Sequence, residues 1–196
     1  MKCIKNLASL VLIGLFTSLG ASAQSTDEII ASAVLPLPEA LRAGATVYTY
    51  DEASGARIVL RAGSNQVECQ PKNDDGFTRC GPVAAGPRAD LSAKLTAEGL
   101  SGEELQAALA TAEERGAIQP RIFGSLRYRL YDKDDRIQLL WVVSLPNATA
   151  ADLGMPTGSQ RDNSLAGKGR PWMMREGTRG AHLMIPINGT ELSNQP

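Results

Sequence analysis

The sequence predicts an α+β fold, with a mainly antiparallel sheet of about six or seven strands and two or three helices on one face. Three observations predict it. The hydrophobic period changes from helical to two near residue 45 and returns to helical near residue 90. Short strand-like runs are bounded by turn residues. A helical block at residues 90–115 is long enough to cover one side of a sheet.

The elements follow in order. Residues 27–34 predict a short helix, and residues 38–43 a second, with Pro38 at its first turn and Gly44 just past its end. Residues 45–50 and 56–61 then alternate as strands around Asp51-Glu52-Ala53-Ser54-Gly55, a hairpin pattern. Residues 67–70 and 77–80 form a second pair around the turn Asn73-Asp74-Asp75-Gly76.

From Asp90 the pattern is helical, with Leu91 and Leu95 one turn apart and a break at Gly99-Leu100-Ser101-Gly102. A longer helix follows. Ser101 and Glu104 have capping-box spacing, Leu105, Ala108, Leu109 and Ala112 make one apolar stripe, and Gly116 supplies the stop. Glu103, Glu104, Glu113 and Glu114 read as its solvated side.

The strongest strand pair comes next. Leu126, Tyr128 and Leu130 alternate with Arg127, Arg129 and Tyr131, and residues 136–145 run apolar, as a central strand buried on both faces would. The tip Asp132-Lys133-Asp134-Asp135 lacks the spaced ligands of a calcium loop and reads as a turn. Residues 154–170 are rich in Gly, Ser and polar residues and predict a long surface loop, a place to look for a site. Pro171-Trp172-Met173-Met174, a turn at Glu176-Gly177-Thr178 and a strand over 181–187 close the chain.

The chain has 196 residues, with 20 Lys plus Arg against 21 Asp plus Glu. That balance points away from nucleic-acid binding, which draws on a basic excess. Residues 1–23 read as a secretory signal peptide: Lys2 and Lys5 precede an apolar run that ends in Ala21-Ser22-Ala23. Cleavage after Ala23 leaves one globular domain, residues 24–196, with 18 basic and 21 acidic groups once Lys2 and Lys5 have gone. No later apolar run is long enough to span a membrane, so the expected location is the periplasm or the exterior. Cys69 and Cys80 predict a disulfide in such a compartment, contributing about 3 kcal/mol by closing a short loop.

Several chemistries lack their residues. His182 is the sole imidazole and no G-x-S-x-G elbow accompanies it, so a hydrolytic triad is not expected. Gly167-Lys168 lacks the preceding Gly and following Ser or Thr of a phosphate loop. Of the 18 basic residues that remain after cleavage, 14 are Arg, and eight of these lie between Arg121 and Arg179. Arginine grips carboxylate and phosphate bidentately, so a ligand-facing cluster is one reading; Arg127 and Arg129 lining the wet face of a strand is the plainer one. His182 and Met184 share one side of a strand by alternation, and with Met173 or Met174 and Trp172 they offer Cu(I) an imidazole, soft thioethers and an indole. A hydrophobic strand with Met as core filler explains the same residues. Asn147 and Asn188 head N-x-T sequons.

Pro36-Leu37-Pro38-Glu39-Ala40-Leu41-Arg42-Ala43-Gly44-Ala45-Thr46-Val47, Pro171-Trp172-Met173-Met174-Arg175-Glu176-Gly177-Thr178 and Ala181-His182-Leu183-Met184 together resemble a group of uncharacterised secreted bacterial proteins. The resemblance implies location and fold, and no activity or site residue. Three function readings stand in order: a non-enzymatic secreted or periplasmic protein binding a small or anionic ligand at the 154–180 loop, with no cofactor; a periplasmic copper binder using His182, Met184 and Met174; and a carboxylate-dependent hydrolase.

Overall fold

The computed structural model describes residues 24–133, 137–155 and 171–187. The expected signal peptide, nearly all of the 154–170 loop, Asp134, Asp135 and Asn188 lie outside the described residues. The elements are α1 (Thr26–Ala33), α2 (Glu39–Arg42), β1 (Thr46–Tyr50), β2 (Arg57–Arg61), β3 (Val67–Gln70), β4 (Phe77–Pro82), α3 (Gly86–Ala97), α4 (Gly102–Glu114), β5 (Leu126–Tyr131), β6 (Leu139–Ser144), β7 (Trp172–Met174) and β8 (His182–Pro186).

All eight strands join one sheet in the order β2-β1-β3-β4-β5-β6-β8-β7. Every adjacent pair is antiparallel except β1 and β3, which run parallel. The fold is thus α+β with a mainly antiparallel sheet, as expected; the count of six or seven strands is corrected to eight, and one parallel pair makes the sheet mixed. The added strand is β7, whose three residues are too few to display a period. The parallel pair arises because β2 folds back on one side of β1 and β3 enters on the other.

Helices on one face is a further correction. Val47, Cys69, Cys80, Tyr128 and Trp141 are successive cross-strand partners and share one face. α1 and the turn after it cover that face, packing Ala33, Val34 and Leu37 onto Val47, Cys69 and Cys80. Leu37 and Val47 are fully buried there, the kind of burial that contributes about 1.5–3 kcal/mol per aliphatic side chain. The Cys69 and Cys80 sulfurs, 2.06 Å apart, join the directly opposed positions of β3 and β4, as expected. α3 lies on the opposite face, where Tyr50 Oη donates to Asp90 Oδ1 at 2.8 Å.

Two local expectations also change. Ser101 precedes α4, but its side chain makes no capping bond, because Gly102 enters the helix at φ 52 and turns the first amides away from the hydroxyl. The capping box forms instead on α1, where Glu28 N donates to Ser25 Oγ and Ser25 N to Glu28 Oε2. β6 is an interior strand, yet its burial alternates: Leu140, Val142 and Ser144 are buried and the residues between are half-buried. Its inner face meets Ile137, Trp172 and Met184 in a second apolar cluster.

Candidate functional site

The face opposite α1 carries most of the polar chemistry. Alternation puts Arg127 and Arg129 of β5 on it, and register sets Arg79 of β4 directly across from Arg129. Like charges so placed repel. The Phe77 ring offsets part of this, with the Arg129 guanidinium 4.4 Å and that of Arg79 5.8 Å from its centroid. His182 of β8 pairs with Met174 of β7 on one side and Ser144 of β6 on the other.

Arg79, Arg127, Arg129, Met174 and His182 line a cavity of ≈ 370 Å³ together with Arg121 from the segment before β5 and Arg175 just after β7. Among the described residues, no carboxylate lines it. Among the described residues, Arg79, Arg121, Arg127 and Arg175 form no ion pair. Arg175 adopts the left-handed conformation at φ 55, uncommon for a residue with a side chain, and its Cδ crosses Gly180 where a Cβ would stand 3.3 Å away.

Arg127 is the centre of the cluster. It is half-buried, and its Nε is out of solvent with no hydrogen-bond partner among the described residues. Burial, and then the charges of Arg121, Arg129, Arg79 and Arg175, push its pKa down to about 10. It remains cationic at neutral pH, in a place that disfavours a cation. Arg121 is lowered too, first by burial and then by Arg88 and Arg175, with Glu113 opposing. His182 donates from Nδ1 to the Gly180 carbonyl at 2.7 Å, leaving Nε2 to titrate. Burial, then Arg127, Arg175 and Arg121, lower its pKa against the opposing Gly180 bond.

The same face is built differently beneath α3. Arg57 donates from Nη1 to Glu68 at 2.8 Å and from Nε to Asp90 at 2.7 Å, with its guanidinium 3.6 Å from the centroid of Tyr48. Burial alone would lower its pKa; the bonds to Glu68 and Asp90 outweigh that and raise it. Glu68 is the one buried carboxylate among the described residues, and it is bound to this guanidinium. Arg88 and Glu113 pair between α3 and α4, so Glu113 is no part of a freely solvated acidic side. A second cavity of ≈ 700 Å³ lies here and shares Arg79, Cys80, Arg121 and Arg127 with the first.

The residues singled out from sequence fall as follows. Arg127 and Arg129 line the cleft and are half-buried, so they do not sit on an open wet face. Met174, Arg175 and Gly180, from the far shoulder of the 154–180 segment, line it as well. Of the copper set, His182 and Met174 are register partners on the cavity wall, while Met184 shares their side but packs into the apolar cluster with Val142 and Trp172. The guanidinium charges around His182 oppose a cation there. Among the described residues, no three His, Cys, Asp or Glu side chains converge as a metal site. Arg121 and Arg175 belong to the arginine-rich stretch from Arg121 to Arg179, though no local pattern singles them out within it; Arg79 lies outside that stretch, and the Cys69–Cys80 register would have placed it.

The architecture is a mixed eight-stranded α+β sheet, one face of which carries an arginine-lined cleft. No family model, no curated protein and no solved structure matches this chain.

Proposed function

We propose that this protein is a non-enzymatic secreted or periplasmic binding protein for small multivalent anions. One observation carries the reading: Arg79, Arg121, Arg127 and Arg175 converge on a ≈ 370 Å³ cavity that no carboxylate lines among the described residues. Unpaired guanidinium groups brought together in a partly desolvated cleft raise the free energy of the empty state. An anion of two or more charges relieves that repulsion and accepts the forked N–H groups bidentately. The chain as a whole has a formal charge of −1, so the cluster is a local concentration of charge and not part of a generally basic surface. The signal-like residues 1–23, the Cys69–Cys80 bond and the likeness of both chain ends to secreted bacterial proteins support a place outside the cytoplasm.

Titration calorimetry with pyrophosphate, citrate and acetate tests this. Pyrophosphate and citrate should bind and weaken with added salt, and acetate should not bind. Arg127→Gln should reduce affinity about tenfold or more, from the ~1.5–3 kcal/mol of a charge-assisted hydrogen bond. Equal binding of acetate and citrate, or none by any of the three, would overturn the proposal.

A further inference from the structure

We infer that the ligand is a phosphorylated sugar, its phosphate in the arginine pocket and its hydroxylated body in the chamber beneath α3. This rests on the anion-binding reading and names the class of anion. The two cavities share Arg79, Cys80, Arg121 and Arg127 as walls, so one molecule can occupy both. An inorganic anion fills only the basic lobe. The chamber, at ≈ 700 Å³, lies within the ~300–1,000 Å³ typical of organic-ligand sites and would stay empty above it.

The chamber's chemistry selects the body. Beyond the shared arginine wall, Glu68 is paired with Arg57 and Arg88 with Glu113, while Asp51, Glu52 and Asp74 also line the chamber, so it disfavours a second anionic group and offers carboxylate acceptors to hydroxyl groups. Hydroxyl and amide groups complete the lining: Gln70, whose Nε2 donates to Tyr48 Oη at 2.7 Å and keeps a further N–H and an acceptor, with Ser92 and Gln106. An alkyl body would strip these groups of water and return no hydrogen bonds. A stacked base finds Tyr48 taken, its ring capped by Arg57 at 3.6 Å and met edge-on by Tyr50. Hydroxyl groups, each both donor and acceptor, fit the wall that is left.

The depth of the chamber is set where the β1–β2 hairpin touches α3. Gly55 sits at φ 67 with its Cβ position 2.6 Å from the Ala93 carbonyl carbon. The helix therefore rests on the hairpin tip, and small side chains such as Ala89 face the chamber.

The test is calorimetry on the purified protein with inorganic phosphate, trehalose 6-phosphate, neutral trehalose and hexyl phosphate. Trehalose 6-phosphate should bind at least tenfold more tightly than inorganic phosphate, and hexyl phosphate no more tightly than inorganic phosphate. Ala89→Leu, which narrows the chamber, should reduce the gain severalfold and leave inorganic phosphate unchanged; Gln70→Ala, which removes a hydrogen-bonding amide from the wall, should also reduce it severalfold. Equal affinity for trehalose 6-phosphate and inorganic phosphate, or tighter binding of hexyl phosphate than of the sugar ester, overturns the sugar assignment and leaves the anion site standing. Failure of inorganic phosphate and both esters to bind overturns the anion site, and this inference with it.

Discussion

Arg57 and Arg127 stand on the same face of one sheet and live in opposite surroundings. Arg57 has two carboxylates and an aromatic ring, and its pKa is raised despite burial. Arg127 has four arginines for neighbours and no ion-pair partner among the described residues, and its pKa is lowered to about 10. Both are half-buried. The difference lies in where the compensating charge is placed: in the chain itself for Arg57 and, on the proposed function, in a bound anion for Arg127. A buried cation without a partner is costly, and such costs gather at functional sites.

Changing the two residues in the same way should therefore give opposite results. Arg57→Met strands Glu68, which is 7% exposed, beneath α3 and leaves Asp90 without its cation. Loss of one member of a buried pair costs ~3–5 kcal/mol, so chemical denaturation should show the largest loss of stability here. An Arg57→Met protein as stable as the parent would mean that the two regions do not differ as described.

A smaller effect sharpens the comparison through pH. His182 belongs to the Arg127 side, and its pKa is lowered in the folded state. The unfolded chain therefore binds the proton first, and stability of the empty protein falls as pH drops through and below about 6.5. Saturating pyrophosphate should flatten that fall, because it offsets the charges of Arg127, Arg175 and Arg121, and His182→Gln should flatten it without ligand. Denaturation midpoints at pH 7.5 and 5.5 check both. A fall that persists unchanged in His182→Gln would assign the titration elsewhere.

Much of the fold was legible because its signals are local. Seven of the eight strands announce themselves by alternation and turn residues, and the Cys69–Cys80 pair sets the register of β3 on β4. Even α1 carries its cap in plain sight, as Ser25 and Glu28 three residues apart. β7 was not legible, because a three-residue strand has no period and exists through its pairing with β8. The parallel contact of β1 with β3 depends on which side of β1 the chain returns, and no local residue reports that.

The site was legible in fragments. Arg127 and Arg129 visibly share a side, but whether that side is wet or enclosed depends on α3, α4 and the segment carrying Arg121. Arg79, Arg121 and Arg175 come from three separate parts of the chain, and only the folded sheet brings their charges together. His182 and Met174 drew notice as soft metal ligands because residue type was visible and the surrounding charge was not.

The most direct measurement is thermal unfolding of the parent and of Arg127→Met, each with and without pyrophosphate. Without ligand, Arg127→Met should melt above the parent, since it removes a partly desolvated charge and its repulsion with four neighbouring arginines, and each kcal/mol gained raises Tm by ~2–4 °C in a chain of this size. Pyrophosphate should raise the Tm of the parent and leave that of Arg127→Met nearly unmoved. An Arg127→Met protein that melts below the parent and gains as much from pyrophosphate would contradict the claim that Arg127 is held unpaired for an anion.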